Sequence, residues 1–469
     1  MSEPTGRHAA PEADVAAPPH PDDVPQSDLA NPKATRTVRF WTVPIVVTLI
    51  VLAALAAFYL GGILRPMTNL RHFPIAVVNE DAGPTGAQVV KGLLAGFEKD
   101  EAYDVRVLSH NDAKNQLDTA QIYGVAVIPP NFSSRLQAFA KSALNPGRVE
   151  RPIILVSTNP RAGTLGASIA NQTLTRAIAM VDHRVGERLS QEVAQQTGPG
   201  HLPAAVTLML MNPIQVESTV HDALPDGTGN GLSAFYYSLL LVLAGFTGSI
   251  VVSMLVDSML GFVPAEFGPV YRFAEQVKIS RFRTLLIKWA LMVVLALLTS
   301  AVYILIASRL GMPIQHALPL WLFGVFAIAA VGITSTSLIA VLGSLGLLVS
   351  MFVFVILGLP SAGATVPLEA TPQFFDWLAK FEPMHHVFLG ARALLYLNGQ
   401  ADAGLSHALT MTTVGLVIGV LLGGIVTWIY DRRGYHRLPP GLEASTEATS
   451  PSEPTGTAEW ITESTGAPE

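Results

Sequence analysis

Cysteine is absent from all 469 residues. Disulfides, thiolate metal sites and thiol catalysis are therefore excluded, and any folded part must hold without staples. Charge is scarce. Asp, Glu, Lys and Arg make up 14% of the chain, against roughly 25% in a soluble globular protein. The shortage is concentrated in apolar stretches, which marks a membrane protein. A net charge of −6 leaves no basic footprint for nucleic acid. No apolar h-region follows Met1, so the N-terminus does not read as a cleavable signal peptide. No Gly-x4-Gly-Lys-Ser/Thr run is present to cradle a nucleotide phosphate.

What is present is six apolar stretches, at residues 41–64, 232–256, 285–307, 319–341, 343–360 and 409–430. A helix crossing a bilayer needs about 20 mainly apolar residues. The expected fold class is a polytopic α-helical membrane protein with six transmembrane helices. No Asp, Glu, Lys or Arg occurs from residue 310 to 368, a run too long for one crossing. The expected reversal lies at Leu342-Gly343-Ser344-Leu345-Gly346, where glycine permits a tight turn. Residues 1–38 are rich in Pro, Ala, Asp and Glu and 431–469 in Glu, Ser, Thr, Pro and Gly, and both are expected to be disordered cytoplasmic tails.

Positive charge sets the expected orientation. Lys33, Arg36 and Arg39 precede the first span. Arg272, Lys278, Arg281, Arg283 and Lys288 lie between the second and third, and Arg432, Arg433 and Arg437 follow the sixth. Placing all three clusters in the cytoplasm puts both termini inside a cytoplasmic membrane. Residues 65–231 and 361–408 are then outside.

Residues 73–195 alternate between strand and helix patterns, so 65–231 is expected to be an extracytoplasmic α/β domain with a mostly parallel or mixed sheet. Apolar runs at 74–78, 105–108, 124–128 and 153–156 read as strands. Residues 85–98, 110–120 and 132–143 read as helices, with Asn111 or Asp112 as a cap for the second. The stretch 161–195 reads as one long helix, either packed on its own sheet or free as a stalk or dimer contact. Residues 200–230 read as an irregular return to the membrane. Asn79-Glu80-Asp81 offers carboxylates at a strand end, where caps and ligand sites both occur. His183, His201 and His221 lack metal-ligand spacing. Asn131-Phe-Ser133 and Asn171-Gln-Thr173 match the glycosylation sequon, which matters only in a eukaryotic secretory pathway.

Ion-driven carriers keep ionisable groups at mid-membrane. None lies in the middle of any span here, and Asp257 and Lys288 read as sitting at cytoplasmic ends. With no phosphate loop either, active transport needs a separate ATPase. Residues 257–284 are the candidate coupling loop, with Glu266, Arg272, Lys278, Arg281 and Arg283 as its charged residues. Tyr271 to Thr284 is expected to form a short amphipathic helix, which fits headgroup contact equally well. Residues 361–408 carry Gly363, Pro367, Phe374, Phe375, Trp377 and Arg392. So hydrophobic a segment is expected to re-enter the membrane face or pack on the spans. Adjacent His385 and His386 point in different directions on a helix and do not read as a metal pair. The chain is expected to bind no cofactor and no metal.

Three stretches carry a resemblance: Phe73 to Gly83, Gly358 to Glu369 with Pro372 to Phe375, and Glu382 to Leu395. Together with the one-then-five span layout they resemble ABC-2 type transporter permeases, within them the phage-infection-protein and nitrosoguanidine-resistance-like subgroup. Glu382 stands where that family commonly has leucine. The resemblance covers about residues 40–435. It implies a six-span permease half, paired as a homodimer or heterodimer, with a nucleotide-binding subunit at the loop between spans two and three. It also implies outward movement of lipids, polysaccharides or hydrophobic drugs. The alternative, suggested by the size of 65–231, is a surface receptor or a secretion or assembly factor acting through that domain. An enzyme has no supporting constellation.

Overall fold

The computed structural model describes residues 37–98, 100–142, 150–197, 204–272 and 274–435. Of the expected tails at 1–38 and 431–469, residues 1–36 and 436–469 lie outside the described residues, whereas 431 and 432 belong to the last helix of the chain. The chain divides into two compact units, residues 1–57 and 58–469. In the first, the described residues are most of helix α1 (Val38–Ile63), an apolar helix with Pro44 inside it.

In the second unit, α1 leads into β1 (Phe73–Asn79), α2 (Pro84–Phe97), β2 (Tyr103–Leu108), α3 (His110–Asp118), β3 (Gly124–Ile128) and α4 (Phe132–Ser142). Then come β4 (Ile153–Thr158), α5 (Thr164–Thr197), α6 (Ala204–Met211) and β5 (Gln215–Val220). The five strands form one sheet in the order β2-β1-β3-β4-β5. Strands β1 and β2, β1 and β3, and β4 and β5 pair in parallel, whereas β3 and β4 pair antiparallel. Central β1 is buried along its length except at Asn79, as its unbroken apolar run requires.

Ile169, Leu174, Ile178 and Val181 of α5 join the sheet core with Phe73, Ile75, Ile154 and Val156. The long helix therefore packs on its own sheet. Two local details differ from the sequence reading. Ser109, rather than Asn111 or Asp112, caps α3, accepting a hydrogen bond from the Asp112 amide at 3.2 Å. Residues 200–230 are not irregular throughout. They contain α6 and edge strand β5, whose mostly exposed Gln-Val-Glu-Ser-Thr-Val carries little apolar signal.

Five further apolar helices follow: α7 (Leu232–Met259), α8 (Arg281–Arg309), α9 (Ala317–Leu342), α10 (Ser344–Ser361) and, after an intervening segment, α13 (Leu405–Arg432). Two shorter helices lie between the last two, α11 (Gln373–Ala379) and α12 (Pro383–Tyr396). With α1, six helices are long and apolar enough to cross a membrane. Helix α9 is the most buried, with α7, α8 and α13 packed around it. Small residues permit the close approach. A Cβ at Gly245 would meet the Val331 side chain at 2.7 Å, and Ser249 donates to Ser335 at 2.7 Å. The reversal between α9 and α10 sits at Gly343, whose φ of +63° suits glycine. Inside α10, residues 352–357 are wound as a π-helix. Pro360 has no N–H to offer the turn before it, and the Tyr59 hydroxyl donates to the Val355 carbonyl at 3.2 Å.

Lys288 does not belong with the loop charges. It lies inside α8, 2% exposed, with its ammonium 2.9 Å from the Asp257 carboxylate near the end of α7. A lone buried charge is expensive, and removing one partner of a buried pair typically costs about 3–5 kcal/mol. Lys288→Met is therefore expected to lower the thermal unfolding midpoint in detergent, and adding Asp257→Asn to recover part of that loss. Simple addition of the two losses would show that the pair does not interact.

Candidate functional site

The segment after α10 starts with a turn at Gly363 (φ +68°), where a Cβ would meet Leu368 Cγ at 2.9 Å. Pro367 then leads into a single 3-10 turn, Leu368–Ala370. This piece enters the α/β core: Val366 and fully buried Ala370 pack in one cluster with Leu70, Phe73 and Ile75. Its backbone is also tied there. The Arg71 amide donates to the Glu369 carbonyl at 2.8 Å, and the Arg71 guanidinium to the Thr371 carbonyl at 3.0 Å. The Tyr123 hydroxyl donates to the Glu369 carboxylate at 3.3 Å.

Helix α12 makes the second attachment. Arg392 donates to the Ala162 carbonyl at 2.8 Å and stacks 5.5 Å from the Phe388 ring. In return, Arg161 donates to the Tyr396 carbonyl at 3.0 Å and to the Ala223 carbonyl at 3.2 Å. Both Arg161 and Ala162 lie in the loop between β4 and α5. The Tyr396 hydroxyl shares a 2.7 Å hydrogen bond with Ser233 and accepts from the Ala234 amide at 3.1 Å, at the start of α7. On the bundle side α12 fits closely. A Cβ on Gly390 would collide with the Phe323 ring.

The electrostatics follow from burial. Desolvation raises the Glu369 carboxyl above its ordinary 4.5, with hydrogen bonding from Tyr123 and the Arg392 charge opposing. Burial and the neighbouring Glu369 push the Tyr123 phenol well above its ordinary range. Burial lowers Arg392, with Tyr123 and Glu369 pulling the other way.

Phe374, Phe375 and Trp377 lie on α11. Phe375 is buried, whereas Phe374, Trp377 and the following Phe381 are exposed. Phe374 stacks on Phe58 with centroids 5.7 Å apart, and Phe375 meets the same ring edge-on at 6.1 Å. The six residues singled out by sequence thus separate: Gly363, Pro367 and Arg392 serve the α/β attachment, Phe374 and Phe375 meet Phe58 of α1, and exposed Trp377 packs beside Phe374. Glu382, 3% exposed, caps α12 by accepting from the His385 amide at 3.1 Å.

The family model described as ABC-2 family transporter protein matches residues 38–430, the six apolar helices and everything between them. The chain belongs to the ABC-2 transporter family. It is a multi-pass transmembrane permease. No curated protein matches it significantly. A crystal structure of a domain of a candidate ABC type-2 transporter from Thermotoga maritima aligns over 34% of this chain and 98% of its own, at 17% identity and a TM-score of 0.22. At that score the assignment rests on the family match alone.

In the permease, the loop between α7 and α8 is not the expected amphipathic helix. Strands β6 (Ala265–Phe267) and β7 (Val270–Arg272) form an antiparallel hairpin that reverses at Gly268-Pro269. Proline and glycine there oppose a helix, and α8 begins only at Arg281. Glu266 and Arg272 lie on the two strands, with side chains outside the described set. Lys278 and Arg283 are exposed.

Asp431, at the end of α13, was not singled out by sequence. Its two oxygens accept from the Arg281 and Phe282 amides at 2.8 and 2.9 Å, at the positive end of α8. Arg281 also donates through Nε to the Tyr435 carbonyl at 2.7 Å.

Of the carboxylates after β1, Glu80 pairs with His110 at 2.6 Å and Asp81 acts as a cap. Asp81 accepts from the Gly86 and Ser133 amides, each at 3.1 Å, and from the Ser133 hydroxyl. Among the described residues, one group has metal-like geometry: Asp118, His221 and Asp222, with ligand atoms within 4.8 Å of one another. Their separation in sequence concealed it. Existing pairs already compensate it, His221 with Asp118 at 2.7 Å and Asp222 with Arg161 at 3.7 Å. Lys114 lines the same 260 Å³ cavity, so the local field does not favour a cation.

Glu369 provides a pH test. A raised folded-state pKa gives stability that is fully present below the unfolded value and lost as pH rises through the folded value. The unfolding midpoint of Glu369→Gln is therefore expected to gain on the natural protein as pH climbs above the ordinary glutamate range. A midpoint difference independent of pH would remove the buried carboxyl from the account.

Proposed function

We propose that the protein is the permease subunit of an ABC-2 type exporter. It moves a hydrophobic or amphipathic substrate — lipid, drug or polymer — outward across the cytoplasmic membrane, using ATP hydrolysed by a separate subunit. The family match over residues 38–430 carries this reading. Both termini and the α7–α8 loop face the cytoplasm, where the Lys and Arg clusters of that loop and of the two chain ends fit the positive-inside rule. The α/β unit is then extracytoplasmic. The chain binds no cofactor of its own and works as a homodimer or heterodimer in the lipid bilayer. The segments Phe73 to Gly83 and Gly358 to Glu369 support membership of the phage-infection-protein and nitrosoguanidine-resistance-like subgroup.

Burial does not make Lys288 an ion carrier. Its partner Asp257 neutralises it near the end of α7, so the pair is no free ion-binding site at mid-membrane. The α7–α8 hairpin and the exposed Lys278 and Arg283 beside it are the natural dock for an ATPase. A receptor or assembly role is the second reading, favoured by the size of the α/β unit. The shared core with residues 366–370 favours the permease instead, because it makes that unit an extension of the helices.

Affinity purification of the full chain from its native membrane is expected to recover an ATPase subunit. Lys278→Glu with Arg283→Glu is expected to reduce that recovery several-fold while leaving the permease folded, since neither side chain is buried. Export by the purified chain with neither nucleotide nor partner would overturn the proposal. Capture of an external partner by a protein that exports nothing would favour the second reading.

A further inference from the structure

A cavity of about 240 Å³ lies among α9, α10, α12 and α13. Its walls are mostly apolar, with Val331, Leu338, Phe354, Val387 and Leu416 among them. Phe381, Val414 and Ile418 on its lining are exposed, so it opens onto a face of the bundle. Three polar side chains interrupt the wall: His386, Thr412 and Thr334, whose hydroxyl donates to the Gly415 carbonyl at 3.4 Å. His386 is 2% exposed and Thr412 is 9% exposed. His386 Nδ1 and Thr412 Oγ1 are both buried without a hydrogen-bond partner.

Each orphan has a specific sense. His386 Nε2 lies 3.2 Å from the Lys380 carbonyl and so carries the ring proton. Nδ1 is then an acceptor. Its neighbour His407, with ring centroids 5.0 Å away, does not satisfy it. Threonines in helices usually return the hydroxyl to a carbonyl one turn back. Thr410 and Thr413 do so, to Ser406 and Leu409. Thr412, between them and facing the cavity, does not. Leaving two buried polar groups unpaired is costly, and a dry apolar pocket would not contain them.

We propose that this cavity binds one amphipathic molecule, an aliphatic or ring body bearing a single hydroxyl. That hydroxyl donates to His386 Nδ1 and accepts from Thr412. Scaling from a cavity of ~150 Å³ that takes benzene, there is room for about ten non-hydrogen atoms. The charged groups of a phospholipid head have no counter-ion there, so the occupant is neutral at this end. A neutral lipid with a free hydroxyl and a small alcohol-bearing cargo share this chemistry. The proposal rests on the permease reading only in treating the occupant as cargo or as a lipid cofactor of transport.

The full chain in nanodiscs is photolabelled with a diazirine-bearing octanol, with no ATPase or nucleotide present. Labels are expected on residues 330–338, 381–387 and 411–418. Unlabelled octanol is expected to compete about fivefold better than octyl methyl ether, the worth of one hydrogen bond. Thr412→Val, which keeps the shape, is expected to weaken labelling by a similar factor, and Thr412→Ser to restore it. His386→Phe is expected to weaken it likewise. Displacement by a diacylglycerol identifies a resident lipid; displacement by octanol alone identifies a small cargo, and either supports the site.

Labelling unaffected by Thr412→Val, or equal competition by alcohol and ether, would show only a greasy groove and overturn the proposal. No labelling of these segments would overturn it too. None of these results bears on ATPase recovery, so this site and the exporter reading fail separately.

Discussion

The Arg392 guanidinium and the short insert at residues 366–371 tie the α/β unit to the helical bundle, and the rest of the second unit is organised around that tie. Arg392 leaves the bundle on α12 and ends on a backbone carbonyl of the β4–α5 loop. Arg161 makes the reverse connection from that loop to Tyr396. Charged donors on carbonyls are stronger than neutral ones, and both bonds are partly buried. The insert adds apolar burial, because Val366 and Ala370 complete a core that the sheet and α5 leave open. The α/β unit is thus finished by residues belonging to the membrane part of the chain.

The bundle has its own logic. Helices packed in lipid gain little from apolar burial, so close approach and internal hydrogen bonds must hold them. Helix α9 meets this with glycine, alanine and serine on the faces toward α7, α8 and α13. Charges are used sparingly and in compensation, as at Lys288 with Asp257, or at helix starts, as at Asp431 over α8 and Glu382 over α12. His386 and Thr412 are unpaired on the wall of a cavity, which is why they point to an occupant.

Local pattern made much of this legible. The strands around Val77 and Ala126 are unbroken apolar runs, and Gly343 was readable as a reversal because no single crossing spans so long an apolar stretch. Strand β5 was not, since an exposed edge strand such as Gln215–Val220 carries no alternation strong enough to read. The hairpin at 265–272 was obscured by basic residues that suit an amphipathic helix equally well. The site was harder still. Gly363, Pro367 and Arg392 stood out as a glycine, a proline and a charge in an apolar stretch, but the contacts around them, Arg392 with Ala162 and Glu369 and Thr371 with Arg71, join residues hundreds of positions apart. Nothing local in an aromatic, apolar stretch says that part of it completes a sheet core instead of facing lipid. Asp431 was invisible for the same reason: a carboxylate at a helix end reads as its own helix's mismatch until another helix begins beside it.

In a permease built this way, α12 is bonded directly to the β4–α5 loop, and β1 is reached through residues 366–371. The most direct test is hydrogen exchange on the full chain in nanodiscs, comparing the natural protein with Arg392→Met. Amides of Arg71, Phe73, Ala370 and Thr371 are expected to be protected together, and the substitution to raise all their exchange rates along with that of α12. Faster exchange confined to α12, with β1 and residues 370–371 unchanged, would contradict this expectation.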